Sequence, residues 1–180
     1  IIGVEEDRNS FNNHGCKEGP NNIRKSLYQL FNHWNDLKII DLGNIKTGFE
    51  VEDTYFALNK VFTTLMKYSI IPIILGGSRD LTYPIYQVYE NTGKLVNITT
   101  IDSRFDIGQD NEKLNSNSYL SFIILHKPSF LFNYTNIGYQ SYYVDNQNID
   151  LMKDLLFDVH RIGNIKSNIE VTEPLLRNAD

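Results

Sequence analysis

Ile70-Ile71-Pro72-Ile73-Ile74-Leu75 is a short apolar run that breaks at Gly76-Gly77-Ser78-Arg79-Asp80. Val96-Asn97-Ile98-Thr99-Thr100-Ile101 breaks in the same way at Asp102-Ser103-Arg104-Phe105-Asp106. Apolar, β-branched runs of this length, bounded by Gly or Asp, predict buried parallel strands. In open α/β sheets, ligands sit outside the carboxyl ends of such strands. Both junctions therefore deliver their charged residues to one rim, where chemistry is expected.

Outward from these junctions, strands alternate with helices. Ile1-Ile2-Gly3-Val4 predicts the end of a strand, and residues 9–19, rich in Asn and Gly, a loop. Gly19-Pro20 starts a helix, with proline where its missing N–H is harmless, and Ile23, Leu27, Leu30 and Phe31 hold its apolar face. Leu37–Leu42 predicts a second strand, ended by Gly43-Asn44. From Val51 to Lys67 the apolar residues keep a period near 3.6, with acids at the start and a lysine at the end, as the helix dipole prefers. A helix after Asp80 carries Leu81, Ile85, Val88 and Tyr89 inward, with Asp80 as its N-cap. Tyr119–Leu125 predicts a helix, residues 130–138 contain a strand, and Asp150–Asp158 is a short helix. Val159–Ile162 then predicts a strand and residues 165–178 a last helix. The alternation argues for a three-layer α/β/α sandwich with a mostly parallel sheet.

Composition narrows the functional classes. A chain of 180 residues, 41% apolar and 22% charged, fits one globular domain. A net charge of −5 offers no basic footprint, so nucleic acid is not an expected partner. The single cysteine, Cys16, forms no internal disulfide and fits a reducing, cytoplasmic setting. No apolar run approaches the roughly 20 residues of a membrane span, so no membrane partner is expected. Ile1 already lies inside a strand, so the natural beginning is expected to lie upstream.

Four motifs in order resemble a known family. Gly76-Gly77-Ser78-Arg79-Asp80-Leu81-Thr82 resembles the ureohydrolase motif Gly-Gly-Asp-His-Ser-Leu-Thr, and Asp102-Ser103-Arg104-Phe105-Asp106 resembles that family's Asp-Ala-His-x-Asp. The helix start Gly19-Pro20-x-x-Ile23-Arg24 and the turn Asp41-Leu42-Gly43-Asn44 match the same family, as does the tail from Glu173 to Asp180. The resemblance spans almost the whole chain and is nearest to the formimidoylglutamase-like branch of the arginase superfamily. It implies an arginase-like fold present as an N-terminal partial domain, with central strands of the sheet contributed from beyond Asp180. It further implies hydrolysis of C–N bonds in linear amidines or guanidines, two manganese ions, a small amidine or amino-acid-like substrate and a homo-oligomer. The two ions would activate a shared water to attack the planar carbon.

The departures from the pattern decide the expected chemistry. In the family the first motif supplies a His ligand, where this chain has Arg79, and the second supplies Asp, His and Asp, where this chain has Asp102, Arg104 and Asp106. Arginine has no lone pair to give and stays protonated. At about 4 Å and an effective dielectric of about 20, each unit-charge pair is worth roughly 4 kcal/mol, so an arginine facing a dication meets roughly twice that in repulsion. Asp102 and Asp106 are therefore expected as remnant catalytic and metal ligands, neutralised by the forked guanidiniums of Arg79 and Arg104, with the manganese pair not bound. Ser78, Asp80 and Asn117 join Arg79 and Arg104 as candidate anion- or substrate-binding groups. The family's substrate-positioning segment would fall near Asn115–Ser118, which lacks its His.

Plainer roles suit the remaining reactive residues. His14, His33, His126 and His160 show no paired spacing, and Cys16 lacks an obvious His partner. Phe130, Phe132, Tyr134, Tyr139, Tyr142 and Tyr143 read as strand packing and edge cover. Three functions stay open: a formimidoylglutamase-like protein with a degenerate metal site, an active amidine hydrolase with rearranged ligands, or a non-catalytic module gripping an acidic small molecule between Arg79 and Arg104.

Overall fold

Ile2-Gly3-Val4 forms β1 (Ile2–Val4), wholly buried, and it pairs in parallel with β2 (Asn44–Ile45) and β3 (Ile74–Leu75). A second parallel sheet joins β4 (Val96–Ile101), β5 (Leu131–Tyr139) and β6 (Asp158–Arg161) in that order. The computed structural model describes residues 1–34, 36–108 and 113–177. Its helices are α1 (Gly19–Leu27), α2 (Val51–Lys67), α3 (Thr82–Asn91), α4 (Tyr119–Leu125), α5 (Asn146–Asp154), α6 (Ile162–Ser167) and α7 (Thr172–Arg177). No helix among the described residues is long and apolar enough to cross a membrane.

The larger core gathers under β4 and β5, where Tyr86, Phe105, Leu120, Ile123, Tyr134 and Met152 pack together. A smaller one, Val4, Leu58 and Leu81, sits where α2 and the loop after β3 meet β1. Packing of α2 against α3, and of α3 against β4, ties the two sheets together. These contacts hold the carboxyl ends of β1, β3 and β4 in fixed relation.

Local signals explain where the helices begin. Glu50 and Asp53 close a capping box at the start of α2, where the Glu50 N–H donates to Asp53 Oδ2 at 2.9 Å. Asp145 caps α5 by accepting the Gln147 N–H at 2.8 Å. That cap starts α5 at Asn146 rather than at the expected Asp150, and Leu156, at φ +59°, turns the chain out of it before β6.

Three other expectations are corrected. The run Leu37–Leu42 is not a strand, and Leu37, Ile39, Ile40 and Leu42 are exposed. Backbone bonds still reach this run, with Gly3 N–H donating to the Gly43 carbonyl at 2.8 Å and Leu42 N–H to the Ile1 carbonyl at 2.9 Å, but regular pairing with β1 begins only at Asn44, after Gly43 at φ +79°. Ile70–Leu75 narrows to Ile74–Leu75, because Ile70 still donates to the Leu65 carbonyl of α2 and Pro72 has no N–H for a ladder. The single last helix divides at Asn168, whose extended backbone breaks it and whose side chain accepts the Glu170 N–H at 3.2 Å. The described part ends at Arg177, so the expected final residue of that helix, Asn178, and the tail to Asp180 lie outside the described residues.

Arg24 of α1 locks the turn before β2. Its guanidinium donates to Asp41 Oδ2 at 2.7 Å, Asp41 Oδ1 at 2.9 Å and the Gly43 carbonyl at 2.9 Å, and also to Asn44. Arg24, aided by the Tyr28 hydroxyl and the Gly43 N–H and opposed by partial burial, holds Asp41 well below the usual carboxylate range. The stability this contributes is present above the ordinary carboxyl pKa of 3.8 and is lost as pH falls further. Arg24→Ala is expected to lower unfolding free energy by about 2–4 kcal/mol at pH 7, given the charged hydrogen bonds removed. The difference from wild type should shrink below about pH 4, as read by urea melts across that range.

Candidate functional site

The loop after β3 is stitched to the end of β1. Gly77 N–H donates to the Val4 carbonyl at 3.2 Å and Ser78 N–H to the Glu6 carbonyl at 2.9 Å. This approach requires glycine, since a Cβ at Gly77 would stand 2.0 Å from the Glu6 carbonyl oxygen. Glu6 is itself fully buried, forked by Arg8 and bonded by the Thr54 hydroxyl at 2.8 Å, so the loop rests on a fixed floor. One short 3₁₀ turn, Arg79–Leu81, then leads into α3.

That turn points Arg79 and Asp80 in different directions. Arg79 Nη1 donates to Asp102 Oδ2 and lies 2.9 Å from Asp106 Oδ2, so one guanidinium nitrogen bridges two carboxylates. Asp80 is not an exposed helix N-cap, as the sequence suggested. It is fully buried and accepts hydrogen bonds from the Ser78 and Tyr55 hydroxyls. Burial pushes its pKa up against those two donors. Asp80 thus builds the base of the loop, whereas Ser78, though also buried, has a place in the wall of a cavity at the rim with Arg79, Asp102 and Asn117.

Asp102 ends β4, where its N–H donates to the Ile137 carbonyl at 3.2 Å. Its Oδ1 accepts the Arg104 backbone N–H at 3.0 Å. The Arg104 carbonyl in turn accepts from Asn136 Nδ2 at 3.0 Å, and Asn136 is fully buried on β5. The backbone of Arg104, not its side chain, therefore meets Asp102. Its guanidinium carbon lies 5.1 Å from the ring centroid of Tyr143, in cation–π range. Arg104 was expected to share the two aspartates with Arg79; instead Arg79 alone pairs with them.

Asp106 is the most enclosed of the group, 4% exposed and in the left-handed region at φ +55°. Its Oδ1 has no hydrogen-bond partner among the described residues. Burial pushes its pKa up to about 7, a rise that Arg79 opposes and the Asp102 charge assists. Tyr119 and Tyr134 close the floor; burial holds both phenols protonated, Tyr134 with a pKa of about 12.

Beside this group lie two cavities of about 490 Å³ each, both lined by Phe11, Arg104 and Asn117. The loop of residues 9–11 and the loop of 115–117 are bound to each other there: Ser116 N–H donates to the Asn9 carbonyl at 2.9 Å and Phe11 N–H to Ser116 Oγ at 2.8 Å. Asn117 is held by its N–H on Asn115 Oδ1 at 2.8 Å. Sequence reasoning missed Asn136, Tyr143, Tyr55 and Phe11. No local signal singled out Asn136, since Asn133 and Thr135 stand on the same strand.

The profile of the arginase family matches residues 1–178 of this sequence. The chain belongs to the arginase family. Among curated arginase-family relatives, a Hahella chejuensis formimidoylglutamase is 33% identical over 110 residues, covering 57% of this chain and 33% of that protein. A Streptococcus gordonii formimidoylglutamase is 26% identical over 154 residues, 79% of this chain and 46% of its own. The mitochondrial guanidino acid hydrolase of Rattus norvegicus is 27% identical over 96 residues, 48% of this chain and 27% of its own. The chain thus spans less than half the length of these curated relatives. The fold matches that of a Trypanosoma cruzi formiminoglutamase crystallised with Mn²⁺, with a TM-score of 0.84 at 19% identity over 99% of this chain and 64% of that one. It also matches Medicago truncatula arginase, at 0.78 and 17% identity over 94% of this chain and 58% of the other. The architecture is accordingly the three-layer α/β/α arrangement of arginases.

Proposed function

We propose that this chain is a formimidoylglutamase-like member of the arginase family in which Arg79 takes the place of the metal pair, so that hydrolysis of amidine C–N bonds is weak or lost. The observation that carries this reading is the single guanidinium bridging Asp102 and Asp106. The residues present do not suit two manganese ions. Among the described residues no three His, Cys, Asp or Glu side chains gather into a metal-sized group. The two carboxylates that remain already share a permanent cation. Hydroxide generation in a dimetal hydrolase rests on the ions' charge lowering the pKa of bound water. A guanidinium offsets one unit of the aspartates' charge but has no vacant orbital for a water oxygen and no pair to accept its proton. What these residues do is tie the two strand ends together, with Arg79 offsetting one of the two carboxylate charges.

Manganese titration tests the proposal. Wild-type protein is expected to show no melting-temperature rise with 1 mM Mn²⁺ and sub-stoichiometric metal after dialysis, by inductively coupled plasma mass spectrometry. Returning imidazoles through Arg79→His with Arg104→His removes two positive charges and adds two nitrogen ligands, so that variant should gain a Mn²⁺-dependent stabilisation. Stoichiometric manganese in the wild type, lost in Asp102→Asn, would instead support an active hydrolase with a rearranged ligand set.

A further inference from the structure

Each passage from a helix into the second sheet presents an exposed leucine: Leu95 just before β4, Leu125 at the end of α4 and Leu156 just before β6. Because the three strands run parallel, these passages share one end of the sheet, the amino end, opposite the rim that carries Asp102. Two local irregularities enlarge the apolar display there. Val96 pairs with Leu131 but Asn97 with Asn133, so Phe132 bulges out of the ladder and is 69% exposed. Leu156 takes the left-handed backbone that suits glycine, φ +59°, and is 85% exposed. With Leu155 these side chains expose on the order of 600 Å², against roughly 300–600 Å² for the largest apolar patch of an ordinary monomer. A stable interface takes roughly 800 Å² from each partner, so an apolar centre of this size needs only a polar border to complete it.

The border charges are sorted by side. Lys94 and Lys127 are exposed where the chain enters β4 and β5, whereas Asp154 and Asp158 are exposed where it enters β6. Two further charges, Glu90 and Lys153, are already engaged, with His126 at 2.9 Å and Asp150 at 3.0 Å. We infer that this end joins two copies of the chain across a two-fold axis beside Phe132. The axis lies in the contact plane, perpendicular to the row of strands, so the β4 flank of one copy meets the β6 flank of the other. The two Phe132 rings then meet at the axis, and on both flanks lysines face aspartates. A two-fold axis along the row would set lysine against lysine, and a partner of one charge sign would be repelled by one flank. The patch is therefore complementary to itself. This inference does not depend on the Arg79 reading.

Sedimentation equilibrium of the full chain, from micromolar to hundreds of micromolar, tests it. Wild type should show a monomer–dimer equilibrium in the micromolar range. Phe132→Ser should weaken it by about tenfold or more. Lys94→Glu with Lys127→Glu should do the same by setting acid against acid, and Asp154→Lys with Asp158→Lys by setting base against base. Mixed together, these two charge-reversed chains should associate more tightly than either does alone, because opposite charges again meet on both flanks. All five positions are exposed, and circular dichroism checks that each variant keeps the fold; should a charge variant lose it, the Phe132→Ser comparison decides. A wild type monomeric throughout, a trimer, a dimer indifferent to Phe132→Ser, or a mixture no tighter than its components overturns the inference. A monomeric wild type would leave the patch to a different partner.

Discussion

Arg79→Ala is expected to destabilise the protein by about 2–3 kcal/mol at pH 8, and millimolar methylguanidinium is expected to return part of the loss. Removing one partner of a buried ion pair typically costs about 3–5 kcal/mol. The smaller value is expected because Arg79 is 44% exposed, so solvent screens part of the interaction, whereas Asp106 is 1% exposed. For a chain of this size the loss corresponds to a melting temperature lower by about 4–12 °C. A small guanidinium ion can enter the vacated space between the carboxylates, whereas tetramethylammonium, with no N–H, should not rescue.

The pH dependence of the same variant has a definite sign. Asp106 has a folded-state pKa of about 7 against an ordinary 3.8, so between these values the folded chain holds a proton that the unfolded chain releases. Its contribution to stability is therefore full below about pH 4 and declines as pH rises through 7. Arg79 lowers the Asp106 pKa, so its removal extends that decline to higher pH. The penalty of Arg79→Ala should thus be smaller at pH 5 than at pH 8. Equal penalties in urea melts at both values would show that the guanidinium does not interact with the ionised carboxylate.

Gly77→Ala is expected to cost about 3 kcal/mol or more, while Gly76→Ala, one residue away, should stay within about 1 kcal/mol. A Cβ at Gly77 would run into the Glu6 backbone, with its carbonyl oxygen at 2.0 Å, its carbon at 2.9 Å and its nitrogen at 3.1 Å. No flexible side chain is there to yield. Relief would pull the loop off β1, breaking the Ser78 bond to Glu6 and displacing Arg79 from its carboxylates. At Gly76 the nearest atom is Leu81 Cδ1 at 3.7 Å, an ordinary contact. Matched denaturation midpoints for the pair would refute the close approach of the two strand ends.

Arg79 offsets one of the two aspartate charges it bridges, and burial, which pushes the Asp106 pKa up to about 7, favours a proton on the other. This arrangement leaves the scaffold of the rim intact, with Gly77 seated on β1 and Asn136 holding the loop after β4, while altering what the rim can hold.

Local patterns in the chain were enough for the alternation of strand and helix, for β4 and α2 at their observed bounds and for the parallel α/β class. These follow from periodicity and backbone chemistry within a few residues. The same patterns overextended strands at Leu37–Leu42 and Ile70–Leu75, because an apolar run signals burial only when another element arrives to cover it, and Pro72 has no N–H for a ladder. The residue types at the site were also legible, since Arg79, Asp102, Arg104 and Asp106 stand at two strand ends. The pairing of Arg79 with the two aspartates was legible too; the partners of Asp80 and of the Arg104 side chain were not. Only the tertiary structure turned Asp80 inward to Tyr55, assigned both aspartates to Arg79 alone and laid Arg104 on Tyr143. The direction of a side chain at a strand end is set by neighbours 25 to 39 positions away, such as Tyr55 for Asp80 and Tyr143 for Arg104. No local spacing encodes those contacts.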